Sequence, residues 1–332
     1  MEDIETQNII TEQTIQKVES SFSKKISLNT RIKEKAIQYF FAINGAMALV
    51  FIILIFIFLF KEGFKSLEHI GLLDYVFLKK PLSDGTFYKA MEWYPTSSQQ
   101  RFSLIPLMLG TLLTALPATI ISTIFGIAGG IYLSEIANPK AKEFLKPMIE
   151  LFAGIPTVVI GFLMLVIGAT FFNDLLNPAN RLNAFVAAIG LSFVIIPVIA
   201  SLTEDALNSI PNELRMASYG LGATKWQTIS KVILPAAFSG VSASIILGFG
   251  RAIGETMIVL MASGNAANLT GNIFSSVRTM TATIAAEMGE VSQGSVHYYA
   301  LFFIGIVLFT ITFFLNLIAE IIINKMRKKN TF

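Results

Sequence analysis

Apolar residues gather in long blocks along this chain, and polar residues are concentrated in the connectors between them. A bilayer core about 30 Å thick is crossed by roughly 20 apolar residues in a helix. Residues 41–60 supply that length without a single charge, which places a first transmembrane helix at 37–61. Five further blocks lie at 104–133, 152–172, 183–203, 236–262 and 298–323. The pattern predicts an all-α polytopic membrane protein with six transmembrane helices. Pro117, Pro156 and Pro197 fall within or at the start of these blocks. They predict kinks rather than breaks, because neighbouring helices can satisfy the backbone groups that a proline frees.

The connectors orient the spans. Residues 1–36 form a polar tail, acidic first and then basic, and the apolar run behind it is too long for a signal peptide. Lys and Arg number six in that tail, three in 134–150, three in 204–235 and four after 324. The opposite side holds six in 61–103 and one each at Arg181 and Arg278. Sixteen against eight puts both termini in the cytoplasm, with 62–103 an extracytoplasmic loop and 325–332 a basic cytoplasmic tail. Trp93, Tyr94, Tyr298 and Tyr299 fall near the expected outer boundary, where amphipathic rings prefer to sit.

Composition narrows the function classes. The chain is 54% hydrophobic and only 14% charged, well below the quarter or so usual in soluble domains. It has no cysteine, which excludes disulfides, thiolate metal sites and a cysteine nucleophile. His69 and His297 lie far apart, and no HExxH occurs, so no metal site is expected. There is no GxxxxGK[ST] cradle for ATP. Nothing points to nucleic acid. Gly126 with Gly130, and Gly250 with Gly254, form GxxxG pairs that let helix backbones approach closely.

Two features ask for a function. The first is Gly250-Arg251-Ala252-Ile253-Gly254-Glu255-Thr256-Met257, inside the fifth block. An Arg at a span centre costs at least about 2.5–3.5 kcal/mol on insertion scales. Arg251 and Glu255, four apart, share a helix face, although Arg before Glu is the poorer order for such a pair. One reading is a structural ion pair facing the bundle interior. The other is a pathway site for a charged solute, since a guanidinium fork suits oxyanions. The second feature is the cytoplasmic segment 204–235, EDALNSIPNELRMASYGLGATKWQTISKVILP. Pro211 can start a helix, Gly220 and Gly222 can end it, and Thr224 can cap a second helix running to Pro235. An ordinary interfacial connector would show the same helices. The outer segment 263–297 contains RTMTATIAAEMGE, expected to fold back as a short helix at an outer gate.

Segment 204–235 resembles the cytoplasmic EAA loop of ABC-importer permeases. Ala217, Ser218, Gly222, Val232, Leu234 and Pro235 match its spacing. Met216 stands where the family has Glu, with Glu213 one turn earlier. From residue 105 to 323 the chain resembles the C-type permeases of phosphate importers. The matching stretches are GTLL, IYLSEIANP, ELFAGIPTVVIGF, LGATKWQTISKVILPAA and GFGRAIGETMIVLMASGN. The resemblance implies a type I ABC permease fold, a MetI-like domain at 104–324 with five of the helices and a coupling loop at 204–235. It also implies phosphate passage by way of Arg251 and Glu255. It further implies an A-type permease as heterodimer partner, two ATPase subunits that bind the ATP, and an extracytoplasmic phosphate-binding protein. The permease itself would be no enzyme and hold no cofactor. Alternatives are a permease for molybdate or sulfate, an ion-coupled secondary transporter with the Arg–Glu pair as proton relay, and a membrane enzyme. The secondary transporter predicts charges on several spans and inverted halves. The enzyme lacks a catalytic motif.

Overall fold

The computed structural model describes residues 28–76, 79–81, 87–89, 91–98 and 100–329; residues 1–27 of the expected tail lie outside them. Helix α1 (Leu28–His69) is 42 residues long, extending past both ends of the expected 37–61. Its flanks, 28–36 and 61–69, are rich in Lys and Glu and hold no proline, so nothing stops the helix where the apolar run ends. The chain divides into two units, 1–58 and 59–332, and the second carries everything that follows.

The described residues of the expected outer loop 62–103 form helix and short ribbons. They include the end of α1 and α2 (Leu72–Val76). Two antiparallel ribbons follow, β1 (Lys79–Pro81) with β2 (Phe87–Lys89), and β3 (Trp93–Tyr94) with β4 (Arg101–Phe102). Tyr75, Trp93, Phe102, Leu107, Leu301 and Ile304 form a core at this end, with the Tyr75 ring stacked 4.3 Å from that of Phe303. Burial pushes the Tyr75 phenol above its ordinary pKa, and Ser66 shares a hydrogen bond with it.

The central pair is α3 (Ile105–Ile131) and α7 (Ala184–Asn208), which pack along their lengths. A Cβ at Gly126 would meet the Cβ of Ile199 at 2.7 Å, and one at Gly130 would meet the Thr203 Cβ at 2.7 Å and the Ala200 carbonyl at 2.8 Å. Only glycine permits this approach. Pro117 and Pro197 sit inside the two helices without breaking them. A π-helical turn, Tyr132–Ile136, extends α3. Asn138 then caps α4 (Pro139–Ala153), accepting from the Ala141 N–H at 2.7 Å.

The third block becomes α5 (Thr157–Leu163), a π turn (Met164–Gly168) and α6 (Ala169–Leu176). After α7 come α8 (Asn212–Gly220), α9 (Lys225–Thr228), a π turn (Ile229–Ile233) and α10 (Leu234–Ala236). The fifth block forms α11 (Phe238–Gly254) and α12 (Met257–Ala262); α13 (Met280–Glu287) and α14 (Val296–Lys329) complete the fold. Five helices of the described residues are long and apolar enough to cross a membrane. A sixth span forms if Lys225–Ala236 and Phe238–Gly254, bent by 72°, are taken together.

Candidate functional site

The fifth span is interrupted where the sequence has its charged pair. α11 ends at Gly254, and Glu255 adopts extended backbone at φ −72° and ψ 136°. Arg251 and Glu255 therefore do not share a continuous helix, and no ion pair joins them. The Glu255 carboxylate turns the other way, accepting from the N–H groups of Thr256 (3.2 Å) and Met257 (3.3 Å). A carboxylate satisfied by free N–H groups at the start of a helix has no need of the arginine.

Arg251 is left exposed and makes no hydrogen bond or ion pair among the described residues. It shares a face of α11 with the exposed Leu247 and Gly254. The neighbouring face is buried, with Gly248 lying against Ile195 and Ile199 of α7. Gly250 and Gly254 serve no close helix contact. A Cβ at Gly250 would come no nearer than 3.9 Å to Asn316, and one at Gly254 would meet nothing within 4 Å.

Glycines elsewhere hold α12 in place. A Cβ at Gly161 of α5 would meet the Met257 carbonyl at 3.1 Å, and one at Gly190 of α7 would meet the Ile258 Cγ2 at 2.9 Å. Beyond α12 the chain turns at Gly264 (φ 81°) and Asn265 (φ 49°), and α13 folds back onto the break. The Thr281 hydroxyl donates to the Glu255 carbonyl at 2.7 Å, and the Met280 N–H donates to Thr111 Oγ1 at 3.2 Å. Gly110 lies against the Arg278 carbonyl.

Glu287 locks the outer end. Its carboxylate accepts from Trp93 Nε1 at 3.0 Å and pairs with Arg278 at 2.5 Å and His297 Nε2 at 2.8 Å. These residues line a cleft of 710 Å³ with Tyr94 and Glu290. Trp93 is thus no interfacial anchor: it is 1% exposed, packed on Phe102, and its N–H reaches Glu287 at the end of α13. Among the described residues no His, Asp and Glu side chains gather as a metal site.

The cytoplasmic segment forms two short helices about a glycine turn. Gly222 stands at φ 79°, and its N–H donates to the Tyr219 carbonyl at 2.9 Å. Thr224 and Gln227 form a reciprocal capping box at the start of α9. The residues that match the EAA spacing divide between two environments. Ser218 is buried, its hydroxyl 2.9 Å from that of Thr228. Val232 and Leu234 pack against a cluster of Leu207, Ile233, Ala237 and Val241, and Pro235 lies within α10. Glu213, Met216 and Ala217 face outward. Around them Leu214, Tyr219, Leu221 and Trp226 are exposed, Leu221 to 90%.

Sequence reasoning missed what holds this loop. Arg215 Nη2 pairs with Glu135 of the first π turn at 2.6 Å, and its Nη1 and Nη2 donate to the carbonyls of Ile210 (2.7 Å) and Leu207 (2.9 Å). Glu204, 0% exposed, pairs with Lys142 at 2.7 Å and Lys146 at 2.6 Å. The hydrogen bond to Glu204 holds the Lys146 ammonium above the ordinary lysine range. The available signal was the four-residue spacing of Lys142 and Lys146, which puts both on one face of α4.

Residues 126–328 match the family model described as binding-protein-dependent transport system inner membrane component. A probable ABC transporter permease protein of Bacillus subtilis, YqgH, is 37% identical over 71% of this chain and 77% of its own length. The phosphate transport system permease protein PstC of Haemophilus influenzae is 31% identical over 74% of this chain and 82% of its own. Among solved structures, the inward-facing MetNI methionine ABC transporter aligns with TM-score 0.53 at 19% identity, covering 65% of this chain and 93% of the other. A bacterial alginate ABC transporter in complex with its periplasmic protein aligns with TM-score 0.56 at 16% identity, covering 88% and 95%. Those two likenesses show a shared fold.

Proposed function

The chain belongs to the family of binding-protein-dependent transport inner membrane components, and on that premise we propose that it carries inorganic phosphate into the cell as the membrane subunit of an ATP-driven importer. Members of this family are ABC permeases of the bacterial inner membrane, and they are not themselves catalytic. The finer assignment, phosphate, is supported by the PstC relatives. The observation that carries it is Arg251: a guanidinium without a partner, on a glycine-flanked face of an interrupted span.

In this reading both termini are cytoplasmic, and α8 with α9 dock on one of two ATPase subunits through Met216, Leu221 and Trp226. An A-type permease faces this chain across the pathway, and a phosphate-binding protein delivers solute to the outer mouth. Bound ATP favours one arrangement of the bundle and its loss the other, because only a ligand with different affinities for two states shifts their balance. Arg251 lowers the cost of passing a desolvated anion through its planar pair of N–H donors. Glu255 holds the break by accepting from the Thr256 and Met257 N–H groups ahead of α12, and its free acceptor capacity weakens anion binding enough for release.

The test is uptake of radiolabelled phosphate by proteoliposomes that hold this chain, the A-type permease, the ATPase and the binding protein. Uptake that requires ATP and is lost in Arg251→Gln, with the complex still assembled, is the expected result. A second reading, another solute on the same architecture, draws on the YqgH relative, whose name states no substrate. ATP-driven uptake of molybdate or sulfate in place of phosphate favours it. Uptake by this chain alone on a proton gradient sinks both.

A further inference from the structure

The two ion clusters at the cytoplasmic end form one path. Arg215 of α8 holds Glu135. Beside Glu135, the Ser134 hydroxyl lies 3.3 Å from its carboxylate and donates to Asn208 Oδ1 at 2.9 Å. Asn208 Nδ2 donates to Glu204 Oε1 at 2.5 Å, and Glu204 takes Lys142 and Lys146 of α4 on its two oxygens. Lys146 also reaches Asp205 at 3.3 Å. The π turn of α3 makes this possible. Its wider winding displaces the register of the side chains, so that consecutive residues, Ser134 and Glu135, reach toward α7 and α8.

Such a path is a costly way to hold helices together. A fully buried carboxylate loses its hydration, and an apolar contact would tie α7 to α4 without that penalty. What the polar path supplies is direction. The end links, Arg215 with Glu135 and Glu204 with its two lysines, are charged contacts of defined geometry, with the Ser134 and Asn208 hydrogen bonds between them; together they tie α8 and the end of α7 to the end of α3 and to α4, across 58 to 80 residues of sequence. Lys142 and Lys146 are about one-third exposed, whereas Glu204 is closed off, so the junction lies at the acid.

We propose that Glu204 is a positioning residue for transport: through Asn208 and the two lysines it makes α8, α4 and the cytoplasmic ends of α3 and α7 move as one block. The inference rests on the importer reading, in which nucleotide moves α8. Force on the exposed face of α8 then reaches α4 and the mouth of the third span directly, without first bending the 204–235 loop.

The absence of cysteine allows spin labels to be placed at will. In the full complex in liposomes, one pair of labels replaces the exposed Asn212 and Phe144, on α8 and α4, and a second replaces Asn212 and the exposed Ser292, all outside the docking contacts. The Asn212–Phe144 distance is expected to be the same with and without ATP, while Asn212–Ser292 changes. In Glu204→Gln the first distance becomes ATP-dependent, and phosphate moved per ATP falls by about tenfold or more with basal hydrolysis retained. Asn208→Ala, at an exposed position, severs the same path while keeping the buried acid and its two lysines, and is expected to act in the same direction. An Asn212–Phe144 distance that shifts with ATP in the unsubstituted complex overturns the inference and leaves the importer reading standing. Unchanged distance and stoichiometry in both variants overturn it equally. If ATP moves neither pair, the importer reading itself has failed and takes the inference with it.

Discussion

Two pairs of glycines in this chain share the same spacing and serve opposite ends. At Gly126 and Gly130 the missing side chains are filled by α7, with Ile199, Ala200 and Thr203 pressed to the backbone of α3. At Gly250 and Gly254 the missing side chains leave space: one neighbour at 3.9 Å for the first and none for the second. The motif states only that a backbone is available for close approach. In the first pair the helix runs on for a turn and more past the second glycine, so a neighbour can lie along it. In the second, Gly254 is the last residue before an extended Glu255, and a charged Arg251 stands between the glycines. A neighbouring helix cannot seat on a stripe that ends there and carries an unpaired guanidinium. Rigid core and open face thus lie on two helices that pack against the same partner, α7.

The largest expected effect breaks the first half of this contrast. Gly130→Leu forces a side chain into the Ala200 carbonyl and Thr203, where even a Cβ is too close. The cost is expected at or above the upper end of about 1–3 kcal/mol for overpacking. Thermal unfolding in detergent will register it as loss of the cooperative transition or a large fall in midpoint. The same leucine at Gly254 is expected to leave the midpoint within the range of about 0.5 kcal/mol typical of open sites. Equal losses at the two positions would erase the distinction.

Next comes the charge on the open face. Arg251→Gln removes a fork able to make two charge-assisted hydrogen bonds, each worth about 1.5–3 kcal/mol. Phosphate uptake is expected to fall about a hundredfold or more, with unfolding midpoint and complex assembly unchanged. Arg251→Lys keeps the charge without the planar fork and should recover only part of the rate. A smaller effect is expected at the turn of the docking loop. Gly222 stands at φ 79° in open space, so Gly222→Ala meets no clash but carries backbone strain of about 1–2 kcal/mol. ATP-driven uptake should drop severalfold, with the bundle's own midpoint little changed.

The contrast also marks where the sequence was legible. Long apolar blocks, charge-biased connectors, Pro211, Gly222 and the Thr224 cap are local signals, and the helices follow them. The interruption at Glu255 was not legible. Read as a helix, Arg251 and Glu255 are a spaced ion pair; the carboxylate instead takes the N–H groups of the next two residues, in a break whose Glu255 carbonyl is held by the Thr281 hydroxyl of the folded-back α13. Trp93 misled for a related reason, since its partner Glu287 lies 194 residues away. The Glu204 and Arg215 contacts were hidden by the same distance in sequence, 58 and 80 residues. The end of α7 was hidden too, because a charged Glu204 and Asp205 read as a connector although both remain helical. Periodicity predicts which face is apolar; it carries no record of which distant group will neutralise a charge.

The smallest expected effect is the most discriminating. Gly254→Ala adds one methyl group where nothing lies within 4 Å, at a residue whose φ is not positive. On helix propensity alone alanine is favoured over glycine by about 0.8–1.0 kcal/mol in a helix interior, and less at a terminus. The unfolding midpoint is therefore expected to hold or rise slightly. Transport is expected to fall, because in the proposed reading the open space beside Arg251 is the route of the desolvated oxyanion, and a methyl group narrows it at the point where the backbone is barest. Stability and uptake then move in opposite directions, which no loss of packing can produce. Should uptake rise with stability, the space beside Gly254 is unused by the solute, and Arg251 must meet it from the Leu247 side of the same face.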